Sequence, residues 1–396
     1  MVHQMMPTNR APAPSASSKS RVMRSLRWSG GWLIVGILAA CSSPSPTKAP
    51  LPGVGPVHVL PGQTAPLPPS RKSRWVAVDW GELPGFADDP LHEAWSAWVR
   101  SCEKPTPPFA KLCPDVRRLS IADVEGQRAW MQQRLQPYRV ESLQGDSRGT
   151  LTAYFEPALL ASQIRTSEFR VPLYQPPLGL TQRKPWYTRQ ESETLPEAQA
   201  ALRGRVIAYV ANPVDAQVLQ IQGSGQLRVL QENGSFRHLR LAYAASNDHP
   251  YRSIGRWLLD RGLVRDASWA GIKIWLQQNP QREQELMAVN PRLVFFRELP
   301  ADDADASVGP IGAHGVALTA GRSIAVDPDS IPYGAPVWLS SQGGAGSLQK
   351  LVLAQDTGHA ITGAVRADFF VGSGPAAGEV AGRLRQGLQM WILWPK

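Results

Sequence analysis

From residue 292 onward the apolar positions come in short runs rather than in helical stripes. The segments "RLVFFREL", "SIAVDP", "APVWLSS", "LQKLVLAQDTG" and "MWILWP" are separated by Gly, Pro and Asp. Short strands of this kind predict a small closed barrel. After Gly145, "GTLTAYFEPAL" and "RVIAYV" also read as strands. The stretch "AQVLQIQGSGQLRVLQENGSFRHLRLAYAA" follows, with turn signals at Gly223-Ser224-Gly225 and Asn233-Gly234. It predicts an antiparallel region.

Helical spacing is confined to a few places. In "DDPLHEAWSAWVRSC" the residues Leu91, Ala94, Trp95 and Trp98 fall on one face. Asp89 is the expected cap, with Pro90 in the first turn. A second helix is expected from Ser120, with Asp123 in the capping-box position. Three short helical patterns lie later: "SIGRWLLDRG", ending at Gly262, "SWAGIKIWLQQNP", from Ser268 to the residue before Pro280, and "QREQELMAV". The pattern is that of a mainly β protein with some helices.

The N-terminus follows a different logic. A basic stretch ends at Arg27, the apolar run "GGWLIVGILAA" follows, and then comes Cys41. The run is too short to span a bilayer and fits the apolar part of a secretory signal. Leu38-Ala39-Ala40-Cys41 resembles a bacterial lipobox, in which the cysteine becomes the lipidated first residue. Ser42 after it suits sorting to the outer membrane. Residues 1–40 are therefore expected to be a signal peptide, and residues 41–73, rich in Pro, Ser and Gly, a flexible tether.

A chain of 396 residues with 43% apolar content supports two or three domains. Half of the formal charge of +10 belongs to the acid-free first 40 residues. The modest remainder suits an anionic polymer or a membrane surface without requiring either. The three-helix region could be read as a DNA-binding motif, but an exported lipoprotein meets no chromosome, so nucleic acid is excluded as a partner. The 14 Trp are core fillers or sugar-stacking platforms. With Cys41 lipidated, Cys102 and Cys113 remain. An oxidising compartment allows a disulfide between them, the alternative being two separate buried thiols.

Candidate chemistry narrows by type. The seven His form no paired ligand spacing, and neither C-x-x-C, G-x-S-x-G nor a phosphate loop occurs. No metal site and no cofactor is expected. Carboxylates remain. Asp356-Thr357-Gly358 spells the D-T-G of aspartic proteases, but it occurs once, and such enzymes need two Asp sharing a proton about 3 Å apart. Asp368 follows twelve residues later.

At these residues the resemblance becomes specific. "GTLTAYFEP" (149–157), "VDAQVLQIQGSGQLRV" (214–229), "AYAASNDHPYRSIGRWL" (242–258), "NPRLVFFREL" (290–299), "GPIGAHGVALTAGRSIAVDPDSIPYGAPVWL" (309–339) and "QDTGHAITGAVRADFFVGSGPAAGEVAGRLRQGLQMWIL" (355–393) resemble, in order, the membrane-bound lytic murein transglycosylase A family. The resemblance covers roughly residues 75–396. It implies a double-psi β-barrel (74–150 and 290–396) with a second all-β domain and a short helical cluster inserted (151–289), and a glycan groove between them. It also implies cleavage of the β-1,4 bond between N-acetylmuramic acid and N-acetylglucosamine in peptidoglycan, without water, leaving a 1,6-anhydro end.

That chemistry needs only one carboxyl. Ordinary glycosidases use two. Here the C6 hydroxyl is tethered to the substrate, so one acid can protonate the leaving oxygen and then take the hydroxyl proton. Such an acid needs a raised pKa, which burial beside Phe369 and Phe370 would supply. By resemblance the catalytic acid is Asp368, before Gly372-Ser373-Gly374, although Ala367 precedes it where the family has an aromatic. Asp356 maps onto a second active-site Asp with an auxiliary role. Tyr154, Gln222 and Ser224 are candidate glycan contacts. Asp327, before a proline, reads chiefly as a turn residue, and Glu156 is the reserve acid. Expected partners are peptidoglycan glycan strands, the outer membrane through a lipid anchor, and other cell-wall enzymes. The competing class is a non-catalytic peptidoglycan-binding lipoprotein on the same scaffold.

Overall fold

The structure is a computed structural model that describes residues 70–299 and 308–396. The expected signal peptide, Cys41 and nearly all of the tether lie outside the described residues. Along the chain run β1 (Ser73–Ala77), α1 (His92–Ser101), α2 (Cys113–Arg118), α3 (Val124–Arg134), β2 (Leu135–Ser142), β3 (Gly149–Glu156), β4 (Ala158–Ser162) and β5 (Val171–Tyr174). Next come α4 (Arg189–Thr194), α5 (Pro196–Leu202), β6 (Val206–Val210), α6 (Pro213–Gln222), β7 (Ser224–Leu230), β8 (Phe236–Ser246), α7 (Ile254–Asp260), α8 (Trp269–Gln278) and α9 (Glu283–Ala288). The chain ends with β9 (Val294–Glu298), β10 (Ser323–Val326), β11 (Pro336–Gly343), β12 (Gly346–Asp356), β13 (Arg366–Ser373), α10 (Gly374–Arg383) and β14 (Arg385–Pro395).

Two sheets organise these elements. One has eight strands in the order β1-β2-β14-β11-β12-β10-β13-β3. The long β14 serves twice: Trp391–Pro395 pairs with β2, while Arg385–Leu388 pairs back onto β3. That second pairing closes six strands into a ring with no open edge, from which β2 and β1 extend outward at β14. The ring mixes parallel pairs (β10–β12, β13–β3) with antiparallel ones (β11–β12, β11–β14, β10–β13). The second sheet has six strands in the order β5-β6-β4-β7-β8-β9. The closed ring and the second β domain give the fold class that the strand pattern predicts.

The domain boundaries differ from expectation at both crossings. β3 belongs to the barrel through Glu156. The segment around 290–299, expected in the barrel, instead adds β9 to the six-stranded sheet, where it pairs with β8. Apolar runs announce a strand but not its sheet, because either sheet would bury Val294, Phe295 and Phe296 equally well.

The barrel core is rich in tryptophan. Trp95, Trp98 and Trp130 pack edge to face or tilted within 5.2–5.9 Å of one another, and Trp338, Trp391 and Trp394 are buried with them. No described Trp is classed as exposed, which favours core filling over sugar platforms. The expected face of α1 is buried in full. Its cap is not Asp89, however. That side chain is buried and holds the Arg322 guanidinium in two bonds of 2.8 and 2.9 Å, fastening the helical region to the barrel. The second helix begins four residues later than expected, with Asp123 itself as the cap, accepting from the Gly126 amide at 2.8 Å.

The largest correction concerns "PVDAQVLQIQ", which is helix α6 and not a strand. Asn212 caps it by accepting from the Val214 amide at 2.8 Å, Pro213 occupies its first turn, and Gly223 closes it in the left-handed conformation (φ 78°). Gly223 is thus a helix stop and not a hairpin turn. The misreading has a physical cause. Ala216 and Leu219 face the six-stranded sheet, whereas Val214 and Val218 face the cluster formed by α7, α8 and α9. A helix buried on two sides loses the one-sided stripe by which helices are recognised. Asn233-Gly234 is a hairpin turn as expected, between β7 and β8.

Candidate active site

The two aspartates are brought together by strand register. Ala325 in β10 is paired with Asp356 of β12 on one side and with Asp368 of β13 on the other. Asp368 in turn pairs with Thr152 of β3. Paired residues on adjacent strands project to the same face, so Asp356, Ala325, Asp368 and Thr152 form one row across four strands. Two strand spacings, about 10 Å, separate the Asp backbones. Alanine at the centre leaves room for the Tyr154 side chain, which reaches from β3 across β13 and β10 to Asp356.

Each carboxylate has its own partners. Thr152 Oγ1 donates to Asp368 Oδ1. The Arg366 guanidinium donates to the same Thr152 oxygen at 2.8 Å, which commits the threonine proton to the aspartate. Asp356 Oδ2 accepts from the Tyr154 hydroxyl and Oδ1 from the Ala313 amide, both at 2.9 Å. Phe370 lies against the Tyr154 ring, 5.3 Å between centroids. The arrangement does not place two carboxyls on one proton, so the D-T-G at 356–358 is not half of a protease dyad.

Electrostatics separates the site from an ordinary surface. Burial raises the pKa of Asp368 above the usual carboxylate value, although Thr152 and Arg366 pull it down. Burial likewise raises Asp356, against the Ala313, Thr357 and Tyr154 donors, and the charge of Asp368 adds to the rise. Tyr154 is pushed well above its ordinary value by burial and by the Asp356 charge, so its hydroxyl stays protonated and donating. Yet neither aspartate is sealed off, since both keep partial access to solvent. A carboxyl with a raised pKa at an opening can hold a proton and deliver it.

The other sequence candidates divide. Tyr154 belongs to the site as a partner of Asp356. Gln222 ends α6 and its side-chain oxygen accepts from the Phe155 amide at 3.1 Å, so that oxygen holds β3 in place. Ser224 is half-buried at the first position of β7. Asp327 is buried and takes the Lys72 ammonium at 2.9 Å and the Gly363 amide at 2.7 Å, consistent with the turn role. Glu156 is fully buried and ion-paired to Arg240 at 2.9 Å, and it accepts from Gln226 and Ser373 at 2.8 Å each. These partners make it a tie between the two sheets. Thr152, Arg366, Ala325 and Ala313 were not singled out in the sequence. Thr152 could have been found from "TLTAYFEP", because it sits two residues before Tyr154 and so shares its face.

The disulfide supports the site from behind. Cys102 and Cys113 are bonded, with sulfurs 2.06 Å apart, closing a loop between α1 and α2. Within that loop the Lys104 carbonyl meets His314 Nε2 at 2.9 Å, and Thr106 Oγ1 donates to the Tyr333 carbonyl at 2.8 Å. Burial lowers the His314 pKa, so the ring is neutral and its Nε2–H donates. His314 directly follows Ala313, whose amide holds Asp356. Among the described residues no group of three or more His, Cys, Asp or Glu could hold a metal ion, and no helix is long and apolar enough to cross a membrane.

The fold and this site define a class: a closed β-barrel carrying on one face two acids that share no proton, with a second β domain inserted in the chain. Comparison with known proteins narrows it. Residues 150–297 match the model of the MltA specific insert domain and residues 322–394 that of the 3D domain. The membrane-bound lytic murein transglycosylase A of Escherichia coli K12 is 33% identical over 254 residues, 61% of this chain and 64% of the relative. The chain thus spans just under two thirds of that relative's length. Among solved structures, the lytic transglycosylase LtgG of Burkholderia pseudomallei is 38% identical with a TM-score of 0.60, covering 85% of this chain and 98% of that one. The E. coli MltA structure with bound chitohexaose is 25% identical with a TM-score of 0.64, covering 81% of this chain and 94% of that one. The membrane-bound lytic murein transglycosylase A of Vibrio cholerae is 32% identical over 266 residues, 63% of this chain and 67% of the relative, and with the two domain matches this shows that the chain belongs to the membrane-bound lytic murein transglycosylase A family.

Proposed function

We propose that this chain is a peptidoglycan lytic transglycosylase. Asp368 starts protonated and gives its proton to the oxygen between N-acetylmuramic acid and N-acetylglucosamine. As that bond breaks, positive charge develops at C1. Asp368, now ionised, takes the proton of the muramyl C6 hydroxyl, whose oxygen closes onto C1. The products are a 1,6-anhydro-muramyl end and a free 4-hydroxyl, and water is not consumed. Asp356, held by Tyr154 and Ala313, supplies negative charge near the developing cation and does not move a proton.

One observation carries this reading: Asp368 is a carboxyl raised by burial whose direct hydrogen-bond partner is a neutral hydroxyl, at an opening on the barrel face. Family membership supports it, as does the glycan held by the E. coli neighbour. Digestion of purified sacculi in ¹⁸O-labelled water, followed by mass spectrometry of the muropeptides, tests it. Anhydro ends free of label are expected, and reducing ends that carry solvent oxygen would make the protein a hydrolase.

The family name and the sequence before residue 42 also support a lipid anchor at Cys41 in the outer membrane, with the enzyme on the periplasmic face. Cys41→Ser should move the protein out of the membrane fraction. Retention of that variant in the membrane would remove the anchor.

A further inference from the structure

The face that carries Asp368 does not stop at the barrel. β3 and β4 are separated by Pro157 alone, so one extended segment passes from the closed ring into the six-stranded sheet. Alternate residues on it face the same way. Thr152 meets Asp368, Tyr154 meets Asp356, and Glu156 is bound by Gln226 and Arg240 from the second sheet. Two positions further, Ala158 pairs with Gln226, and after another two Leu160 pairs with Arg228. The intervening Leu159 and Ala161 point into the core of the insert. Thr152 and Leu160 therefore mark the ends of one continuous face, eight residues and about 26 Å long.

At its far end lies a trough of about 300 Å³, lined by Ala158, Leu160, Gln226, Arg228, His238 and Arg240. Leu160, Arg228 and His238 form one cross-strand row and are exposed. Arg240 is neutralised by Glu156. Arg228 rests over the Phe236 ring at 4.7 Å, and neither it nor His238 has an acidic partner among the described residues. The trough therefore joins an apolar wall to positive charge that no acid among the described residues offsets.

We infer that this trough binds the carboxylates of peptide stems on the glycan strand whose backbone lies at Asp368. This rests on the proposed function and adds what the enzyme recognises beyond the sugar. A saccharide backbone with its lactyl groups in amide linkage offers no negative charge to Arg228. A stem peptide ends in carboxylates, which a guanidinium holds in two parallel bonds, and its small apolar side chains suit Leu160 and Ala158. Full-length protein carrying Asp368→Asn, which binds without turnover, is titrated with purified glycan strands bearing their stems and with the same strands after the stem carboxylates are capped as neutral amides, the lactyl amides being left intact. Roughly fivefold tighter binding of the uncapped strands is expected, and R228Q/H238Q should bring that ratio close to one. A ratio unchanged by the double substitution would overturn the inference, as would equal binding of the two strands by the parent. Binding of neither strand removes the proposed function as well, whereas binding without preference removes this inference alone. The sequence between Leu299 and Val308 contains Asp302, Asp303 and Asp305. If R228Q/H238Q and D302N/D303N/D305N lower Tm in parallel while the binding ratio stays intact, the two basic side chains serve that tract, and the inference fails.

Discussion

Glu156 and Asp368 sit on adjacent strands of one barrel and face the same side, yet they are set up for opposite purposes. Glu156 is sealed from solvent and matched by the Arg240 guanidinium, Gln226 and Ser373. Its Oε2 accepts from Arg240, Gln226 and Ser373, and its Oε1 lies 2.9 Å from the Arg240 guanidinium as an ion pair. Asp368 is partly open and has a neutral threonine as its direct hydrogen-bond partner; the Arg366 guanidinium stands beyond that threonine, and its charge only partly offsets the effect of burial. Burial without a matching cation raises a carboxyl's pKa, whereas burial with one anchors a charge. Within two turns of the pleat, the same strand pair holds a fastening and a candidate catalyst. What distinguishes them is whether a cation meets the carboxylate.

Substitutions at the two carboxylates should break that comparison in different ways. The largest effect is expected at Asp368. Asp368→Asn keeps the threonine contact but removes the transferable proton. The loss in kcat should be at least roughly 10²–10⁴-fold, with Kd for glycan strands little changed, as read by muropeptide release and by titration. Glu156→Gln should act on stability instead. Removing one partner of a buried ion pair costs about 3–5 kcal/mol, seen as an earlier midpoint in urea. A Glu156 variant of native stability that lost turnover would reverse the two assignments.

A smaller loss is expected from the disulfide. Its partners are 11 residues apart, and opening a loop of that size by C102S/C113S should lower stability by roughly 2–3 kcal/mol. Tyr154→Phe removes one donor from Asp356 and should reduce kcat/KM by the worth of a hydrogen bond to a charged group, about 1.5–3 kcal/mol or less.

The smallest effect sharpens the contrast most. Because the folded-state pKa of Asp368 is raised, the folded protein holds that proton more tightly than the unfolded chain does. The stability it contributes is therefore present in acid and is lost as pH rises through the raised value. At neutral pH, Asp368→Asn should raise Tm slightly, and the gain should vanish on acidification, as thermal unfolding at several pH values would show. Activity should fall along the same alkaline limb, because the acid must start protonated.

Much of this was legible in the chain. Short apolar runs between Gly and Pro predict the barrel strands because a strand's pattern is local, and the face of α1 is legible because its burial is one-sided. Asp368 and Asp356 were singled out through the resemblance of residues 355–393 to the family, not through their immediate neighbours, since Ala367 departs from the family pattern and D-T-G by itself points to a protease. The helix α6 was not, because burial on two sides erased its periodicity. The fate of Glu156 was also hidden, since its cation comes from Arg240, 84 residues away, on a different sheet. Sequence alone thus determined which segments could be strands and which residues could do acid–base chemistry, because both depend on side-chain type and near-neighbour spacing. Only the tertiary structure decided that β9 joins the second sheet, that Ala325 sets Asp356 and Asp368 in one row, and which carboxylate received a cation. Those outcomes depend on strand register and on contacts between distant segments, and no local pattern encodes them.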